Sequence, residues 1–324
     1  MKQMRAVIRE GSMVFKSDYP APAMPAAGSG KVLVRVRAAA INPVDYKAPK
    51  MIVGAVVGLD FAGVIEAMPQ GSPADGLKVG DEVFGFSMGT LAELTTVEVS
   101  KIALKPKDLS FVQAASLPTA YVTSLQALRD HGQLKPGGKA LIIGASGGCG
   151  VSGVQLARCL GADQVVGVCS AKNRELVERL GAHRVVDYNS EKIEDIYAGL
   201  PDNEKFDVVY DAATGSGAGE DYENSSWRVL KEKTGQYVPI NGGGMTWFWY
   251  MVGWQRSRKH LFLTKANTAD LNTLAKYITE ERTLEPIIAS TFPFTAKGVE
   301  EGFAMLKGRR TVGKIVFDMA HEAE

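Results

Sequence analysis

The 324-residue chain has little of what builds metal sites and disulfide frameworks. Its three cysteines, Cys149, Cys159 and Cys169, are odd in number and form no C-x-x-C pair. That count argues against a disulfide scaffold and for a reducing compartment. The four histidines, His131, His183, His260 and His321, are scattered, so no zinc-ligand spacing exists. Charge of one sign is also lacking: 37 Lys and Arg face 36 Asp and Glu, a net +1. Such a balance gives no footprint for nucleic acid or for an anionic membrane surface. The most apolar late stretch, MTWFWYMVGW, is far too short to span a bilayer. The opening MKQMRAVIREGS has no apolar h-region and reads as the start of a strand rather than a secretory signal.

What is present suits an ordinary soluble protein: 45% hydrophobic and 23% charged residues, in a chain long enough for two domains. The first ~120 residues are β-rich. KVLVRVRA (31–38) alternates apolar and polar residues. VVGLDFAGVIE (56–66), KVGDEVFGF (78–86) and AELTTVEV (92–99) are further short strands with Gly-containing turns, the pattern of a compact barrel or sandwich. From residue 111 the period changes. Residues 111–131 read as helix interrupted at Pro118. Strands at 140–143, 164–169, 184–187, 208–211, 237–240 and 260–263 then alternate with helices at 148–160, 174–180 and 222–230. This is the βαβ rhythm of a doubly wound parallel sheet. Helices at 270–280 and 297–306 and strands at 291–294 and 314–317 form a tail expected to fold back onto the first domain.

The sharpest motif is LIIGASGGCG (141–150), in which a strand runs into Gly144, Ser146, Gly147, Gly148, Cys149 and Gly150 at the start of a helix. A bare helix N-terminus suits a pyrophosphate, because backbone N–H groups point at the anion and no side chain stands between them. A plain glycine-rich turn is the alternative, and the strand–helix–strand context favours the phosphate loop. About 20 residues on, an NAD site carries an acid. Here the second strand ends Cys169-Ser170-Ala171-Lys172-Asn173-Arg174, with a hydroxyl and two cations instead. Ser170 and Lys172 would accept the 2′-phosphate that a carboxylate would repel, so NADPH is expected. The competing reading makes Lys172 and Arg174 a solvated helix turn.

With these residues in place the chain resembles the zinc-independent medium-chain dehydrogenases/reductases of the quinone oxidoreductase group. The matching motifs are Ile41-Asn42-Pro43-Val44-Asp45-Tyr46-Lys47, Gly58-Leu59-Asp60-Phe61-Ala62-Gly63, Val79-Gly80-Asp81-Glu82-Val83, Leu117-Pro118-Thr119-Ala120, the glycine loop, and Thr311-Val312-Gly313-Lys314-Ile315-Val316. They are most similar to the plant-type branch of chloroplast envelope quinone oxidoreductase-like proteins and enone oxidoreductases. The resemblance implies an α/β fold. A GroES-like β-barrel domain (1–122 and 268–324) is joined by a Rossmann doubly wound parallel-sheet domain (123–267) inserted before the C-terminal segment, with the cofactor in the cleft between them. It implies NADPH-dependent reduction of activated C=C bonds or quinones, and a homodimer. It puts Asn42 and Lys47 beside nicotinamide and substrate, Thr123 near the nicotinamide, Lys172 and Tyr188 on the 2′-phosphate, and Asn241 and Gly242 near the nicotinamide ribose. Chloroplast stroma becomes one candidate compartment beside the cytoplasm.

Without the cysteine and Gly-His-Glu stretch of zinc-binding members, alcohol oxidation through a zinc alkoxide is not expected. Cys149 replaces the valine common in the loop, and its thiol is expected to be buried and inert. Candidate donors to the charge that develops on a substrate oxygen are Asn42, Tyr46 and Lys47. Asp45 is read as fixing the local turn or orienting Lys47, and Asp60 as structural. Asp211 is read either as a cofactor neighbour or as the partner of a helix N-terminus. Trp247-Phe248-Trp249-Tyr250 reads as core or interface ahead of pocket lining. An enoyl-thioester reductase is the alternative activity, with Arg256, Arg258 and Lys259 as the cations it would need. A non-catalytic NADPH-binding protein is the alternative of a different class.

Overall fold

The structure is a computed structural model that describes residues 3–10, 12–48, 54–70, 76–214, 222–242, 247, 250–253 and 257–320. The chain divides into two compact units, residues 1–122 with 266–324, and residues 123–265.

In the first unit, β1 (Gln3–Glu10) and β2 (Ser12–Pro20) form an antiparallel ribbon. The main sheet is built from β3 (Lys31–Ile41), β4 (Asp60–Ala67), β5 (Glu82–Phe86), β6 (Leu94–Glu98) and β7 (Ile102–Leu104). Between β3 and β4 lies the single-turn helix α1 (Pro43–Lys47), and after β7 come α2 (Phe111–Ala115) and α3 (Pro118–Gln126). The alternation in β3 does what it predicts: Val32, Val34 and Val36 enter the core while Arg37 faces water. The expected strand at 56–66 begins only at Asp60. Val57 bonds across to Val7 and Leu91 instead, and Gly58 (φ +102) has Thr90 so close that a Cβ would lie 2.5 Å from its hydroxyl.

The same sheet is completed from the far end of the sequence. Strands from the tail, residues 288–293 and 314–318, carry the fold back to β3.

The second unit contains β8 (Lys139–Ile143), α4 (Gly148–Cys159), β9 (Gln164–Cys169), α5 (Arg174–Arg179), β10 (Arg184–Asp187), α6 (Ile193–Tyr197), β11 (Val208–Asp211), α7 (Glu223–Val229) and β12 (Gln236–Pro239). All its strand pairs are parallel, in the order β10-β9-β8-β11-β12. Strand addition reverses between β8 and β11, the switch point at which ligands bind in such sheets. Its apolar core gathers Leu141, Val166, Val186, Phe206, Val209 and Tyr237.

Returning to the first unit, the tail consists of α8 (Thr268–Thr279), β13 (Ile288–Pro293), α9 (Ala296–Lys307) and β14 (Lys314–Asp318). β13 pairs parallel with β14, and β14 pairs antiparallel with β3, Ile315 opposite Ile41. Phe317 is fully buried, with the rings of Phe292, Phe294 and Phe303 at 6.2, 6.4 and 6.4 Å.

Two local expectations change. The helix expected over 111–131 is interrupted at Pro118 as expected, running to Ala115 and restarting at Pro118, but it ends in a π-turn, where Gly132 N–H bonds to Ala127 O at 2.7 Å. The strand expected at 260–263 makes one bridge, Tyr237 to Lys259, and then leaves the sheet. The chain just beyond it bonds to a side chain instead. Lys265 N–H donates to Gln126 Oε1, the Gln126 amide donates back to Lys265 O, and Phe262 stacks on His131 at 4.2 Å. Among the described residues no helix is long and apolar enough to cross a membrane.

Phe317→Ala should lower stability by about 3–5 kcal/mol, the cost of truncating a buried aromatic ring. Denaturant unfolding measures it, and a loss under about 1 kcal/mol would mean that Phe317 does not close this core.

Candidate functional site

In the first unit the expected donors share one short helix. Asn42 precedes Pro43, whose fixed φ favours a helix start. Asp45 accepts from the Asn42 backbone N–H at 2.6 Å, so it fixes the turn as expected. The Arg9 guanidinium donates to the carbonyls of Tyr46 and Ala48 and so satisfies the other end of α1. Lys47 is exposed, and its ammonium is held below the usual lysine range by partial burial and by Arg309. Tyr46 is half-buried, with the Lys307 ammonium 5.9 Å from its ring centre.

Beneath α1 lies a buried polar cluster. Lys314 Nζ donates to Asn42 Oδ1 at 2.5 Å and to Asp60 Oδ2 at 3.1 Å. Asn42 Nδ2 donates to the same Asp60 oxygen at 2.9 Å. Thr119 donates from N–H and hydroxyl to Asp60 Oδ1 at 2.9 and 2.5 Å. Asp45 is fully buried, and its Oδ1 has no hydrogen-bond partner. Burial raises its pKa to about 7, helped by Asp60 and opposed by the Asn42 N–H and by Lys314.

In the second unit the expected residues follow strands that all run in one direction. The glycine loop follows β8, Ser170 and Lys172 follow β9, Tyr188 follows β10, and Asn241 and Gly242 follow β12. They therefore share the carboxyl edge of the sheet. Gly144 has φ +74, a conformation other residues rarely adopt, and a Cβ there would lie 3.2 Å from Ala213. A Cβ on Gly150 would lie 2.0 Å from Gly144 O, so the turn closes only with glycine. Gly147 has nothing nearer its Cβ position than Gly144 O at 3.5 Å, and Gly148 opens α4 beside it. Ser146 accepts from Asn173 Nδ2 at 3.0 Å, which ties the loop to the turn carrying Lys172. Asp187 pairs with Cys169, so Tyr188 and Ser170 leave adjacent strands side by side. Lys172 and Tyr188 are exposed. Thr123 Oγ1 lies 2.6 Å from Thr264 Oγ1, and Ser124 beside it donates to Cys149 O at 2.9 Å. Asn241 Oδ1 accepts from Gly242 N–H at 2.9 Å and from the Trp247 indole at 3.4 Å.

The chain matches a family model described as "Alcohol dehydrogenase GroES-like domain" over residues 28–107, and one described as "Zinc-binding dehydrogenase" over 180–317. It is 36% identical to the 2-methylene-furan-3-one reductase of Solanum lycopersicum, over 91% of this chain and 73% of that one. It is 33% identical to the chloroplastic NADPH-dependent alkenal/one oxidoreductase of Arabidopsis thaliana, over 90% of this chain and 73% of that one. The chain belongs to the quinone oxidoreductase-like family of medium-chain dehydrogenases/reductases. The quinone oxidoreductase of Coxiella burnetii has the same fold at 28% identity, with a TM-score of 0.80 covering 98% of this chain and all of that one.

Zinc, named in one of the family models, does not fit the residues of this family member. Among the described residues no group of three or more His, Cys, Asp and Glu is placed to hold a metal. Between Asn42 and Asp60 lies the Lys314 ammonium, and a second cation there would meet a fixed positive charge.

Several side chains sit differently from expectation. Cys149 is half-buried, and it is Cys169 that is buried, with burial raising its thiol pKa to about 11. Cys149 is the second residue of α4, in its opening turn rather than in the helix interior. The Asp211 carboxylate meets a turn rather than a helix N-terminus. It holds the turn after β11, accepting from Ala213 N–H, Thr214 N–H and the Tyr237 hydroxyl. Arg258 donates to Lys231 O and Gly235 O, and Lys259 pairs with Glu223 at 2.6 Å, so both are engaged within the fold. Arg256, Phe248, Trp249 and His321 lie outside the described residues. Trp247 and Tyr250 meet edge to face at 5.6 Å. Sequence reasoning missed Lys314 as a partner of Asn42. It also missed Asp187, whose carboxylate accepts from Asn189 and Ser190 and so shapes the turn that carries Tyr188.

Asp45 gives a pH test. Its folded carboxyl keeps a proton up to about pH 7, whereas an unfolded one releases it near 4. Folding then takes up a proton between those values, so this group makes stability fall as pH rises from about 4 to 7. Asp45→Asn should remove that slope. The melting temperatures of the two proteins between pH 4 and 8 read it, and parallel curves would count against a protonated Asp45.

Proposed function

We propose that this protein is an NADPH-dependent oxidoreductase that transfers hydride to the activated C=C bond of enones and alkenals, or to quinones, without a metal. One observation carries the reading. At the carboxyl edge of the second unit's sheet a bare glycine turn opens α4, and the adjoining strand is followed by Ser170 and Lys172 rather than by a carboxylate. The activities in the names of the tomato and Arabidopsis relatives support it.

Bound NADPH supplies the hydride. The opening turn of α4 offers backbone N–H groups, which a helix leaves without internal acceptors, to the pyrophosphate. Gly144, Ser146, Gly147, Gly148, Cys149 and Gly150 form that seat. Ser170, Lys172 and Tyr188 take the 2′-phosphate, Lys172 as a point charge. Thr123, Asn241 and Gly242 serve the nicotinamide end. Asn42, Tyr46 and Lys47 donate to the oxygen on which charge develops as the carbon accepts hydride. A lysine held below its usual pKa is a better acid, which suits Lys47 for proton delivery to the enolate. A homodimer in a reducing compartment, organellar or cytoplasmic, completes the proposal.

The test mixes purified protein and NADPH with a short enone, a quinone and an enoyl-thioester, following loss of nicotinamide absorbance. Turnover on the enone or quinone is expected. Turnover on the thioester alone would replace the reading with thioester reduction. Cofactor binding with no turnover at all would leave a binding protein. Lys172→Ala should cut the preference for NADPH over NADH by about tenfold or more, the worth of one charge-assisted hydrogen bond. A preference unchanged in kcat/KM ratio would remove Lys172 from the phosphate site. Lys47→Met should lower kcat about 10²-fold while leaving the NADPH Kd in place. An unchanged kcat would take Lys47 out of the reaction.

A further inference from the structure

Four stretches distant in sequence close on one buried point of the first unit: the residue before α1, the start of β4, the start of α3 and the start of β14. Asn42, Asp60 and Lys314 are 5%, 0% and 4% exposed. Lys314 has three N–H donors and three acceptors, Ile41 O at 3.3 Å, Asn42 Oδ1 at 2.5 Å and Asp60 Oδ2 at 3.1 Å. Each Asp60 oxygen accepts two bonds, from Thr119 on one side and from Asn42 and Lys314 on the other. The Asn42 carboxamide thus lies between an ammonium on its oxygen and a carboxylate on its nitrogen. Turning it over would set NH₂ against NH₃⁺ and C=O against COO⁻ among groups that are each at most 5% exposed. A primary amide has two N–H groups, and the Asp60 bond uses one.

We propose that Lys314 and Asp60 are positioning residues for hydride transfer: together they lock the Asn42 carboxamide in one orientation, so that its second N–H is the fixed donor to the substrate oxygen. This rests on the reductase reading above. It makes the buried ammonium the organiser of the donor set, in a place where a single uncompensated carboxylate would otherwise be costly. Asp45 faces the same cluster. The one ammonium pairs with Asp60, and Asp45 beside them keeps its proton up to about pH 7.

The experiment uses the full-length protein with NADPH and the enone. Lys314→Met should lower kcat about 10²-fold, the effect of losing one oriented oxyanion donor, with the NADPH Kd within about twofold. Asn42→Ala should cost about as much and add nothing further on top of Lys314→Met. Because Lys314→Met leaves Asp60 buried and unpaired, it is also made together with Asp60→Asn, a charge-neutral pair. That double variant should recover the melting temperature without recovering kcat, since two facing amides can pair either way round. Recovery of both together would reduce Lys314 to a structural role and overturn the proposal, as would a folded Lys314→Met that keeps kcat within about threefold. The lock is also read without turnover. One Asn42 amide proton should exchange with solvent far more slowly than its geminal partner in wild type, and equal exchange of both would overturn it. A wild type that shows this asymmetry but turns over no substrate would fault the reductase reading and not the lock.

Discussion

A lysine ammonium taken fully out of water determines how the first unit is assembled. Lys314 survives there only because Asp60, Asn42 and the Ile41 carbonyl converge on it. Those partners lie at the end of β3 and at the start of β4, and Lys314 itself begins β14. The ion pair therefore fixes the register of the seam at which β14 joins β3. Thr119 extends the same net to α3 through Asp60. Apolar packing around Phe317 provides the bulk of cohesion nearby, but it is tolerant of small shifts. A buried charge with three stated partners is not.

The second unit solves a different problem. Its loops must leave an anion-sized space bare and yet be held still. Glycine removes side chains where the chain turns back on itself, at Gly144 and Gly150. Rigidity then comes from polar groups set one step back. Asn173 holds Ser146, Asp187 holds the turn before Tyr188, Asp211 holds the turn that Gly144 touches, and Asn241 binds its own loop and Trp247. Each is a short side chain capping a strand end, a job for which Asn and Asp are suited.

What was legible in the sequence was what depends on neighbours in the chain. The glycine loop announces itself because turn, strand and helix are contiguous, and the 3.6 and 2 periodicities located most strands and helices within a few residues. The strand expected at 260–263 is missing because the chain leaves the sheet after the Lys259 bridge, and the residues that follow, Thr264 and Lys265, bond to the side chains of Thr123 and Gln126, which no periodicity records. The break before Pro118 follows from the proline itself, whereas the π-turn before Gly132 reflects tight packing, with Val208 leaving no room for a Cβ at Gly132. Lys314 read as an unremarked member of a strand motif. Its partner Asp60 is 254 residues away, so the contact that orients Asn42 exists only once the chain is folded.

The closure of the first sheet by β14 has a consequence for the order in which the protein matures. Residues 123–265 form a contiguous unit, so its strand pairs are complete in the chain before the tail is made. The earlier residues cannot finish. Until β14 is synthesised, the end of β3 is an open sheet edge exposed to other strands, and Asp60 lacks its cation. The part of the protein made first is thus completed last, and for most of translation its future interior depends on chaperoning or on speed to stay unpaired.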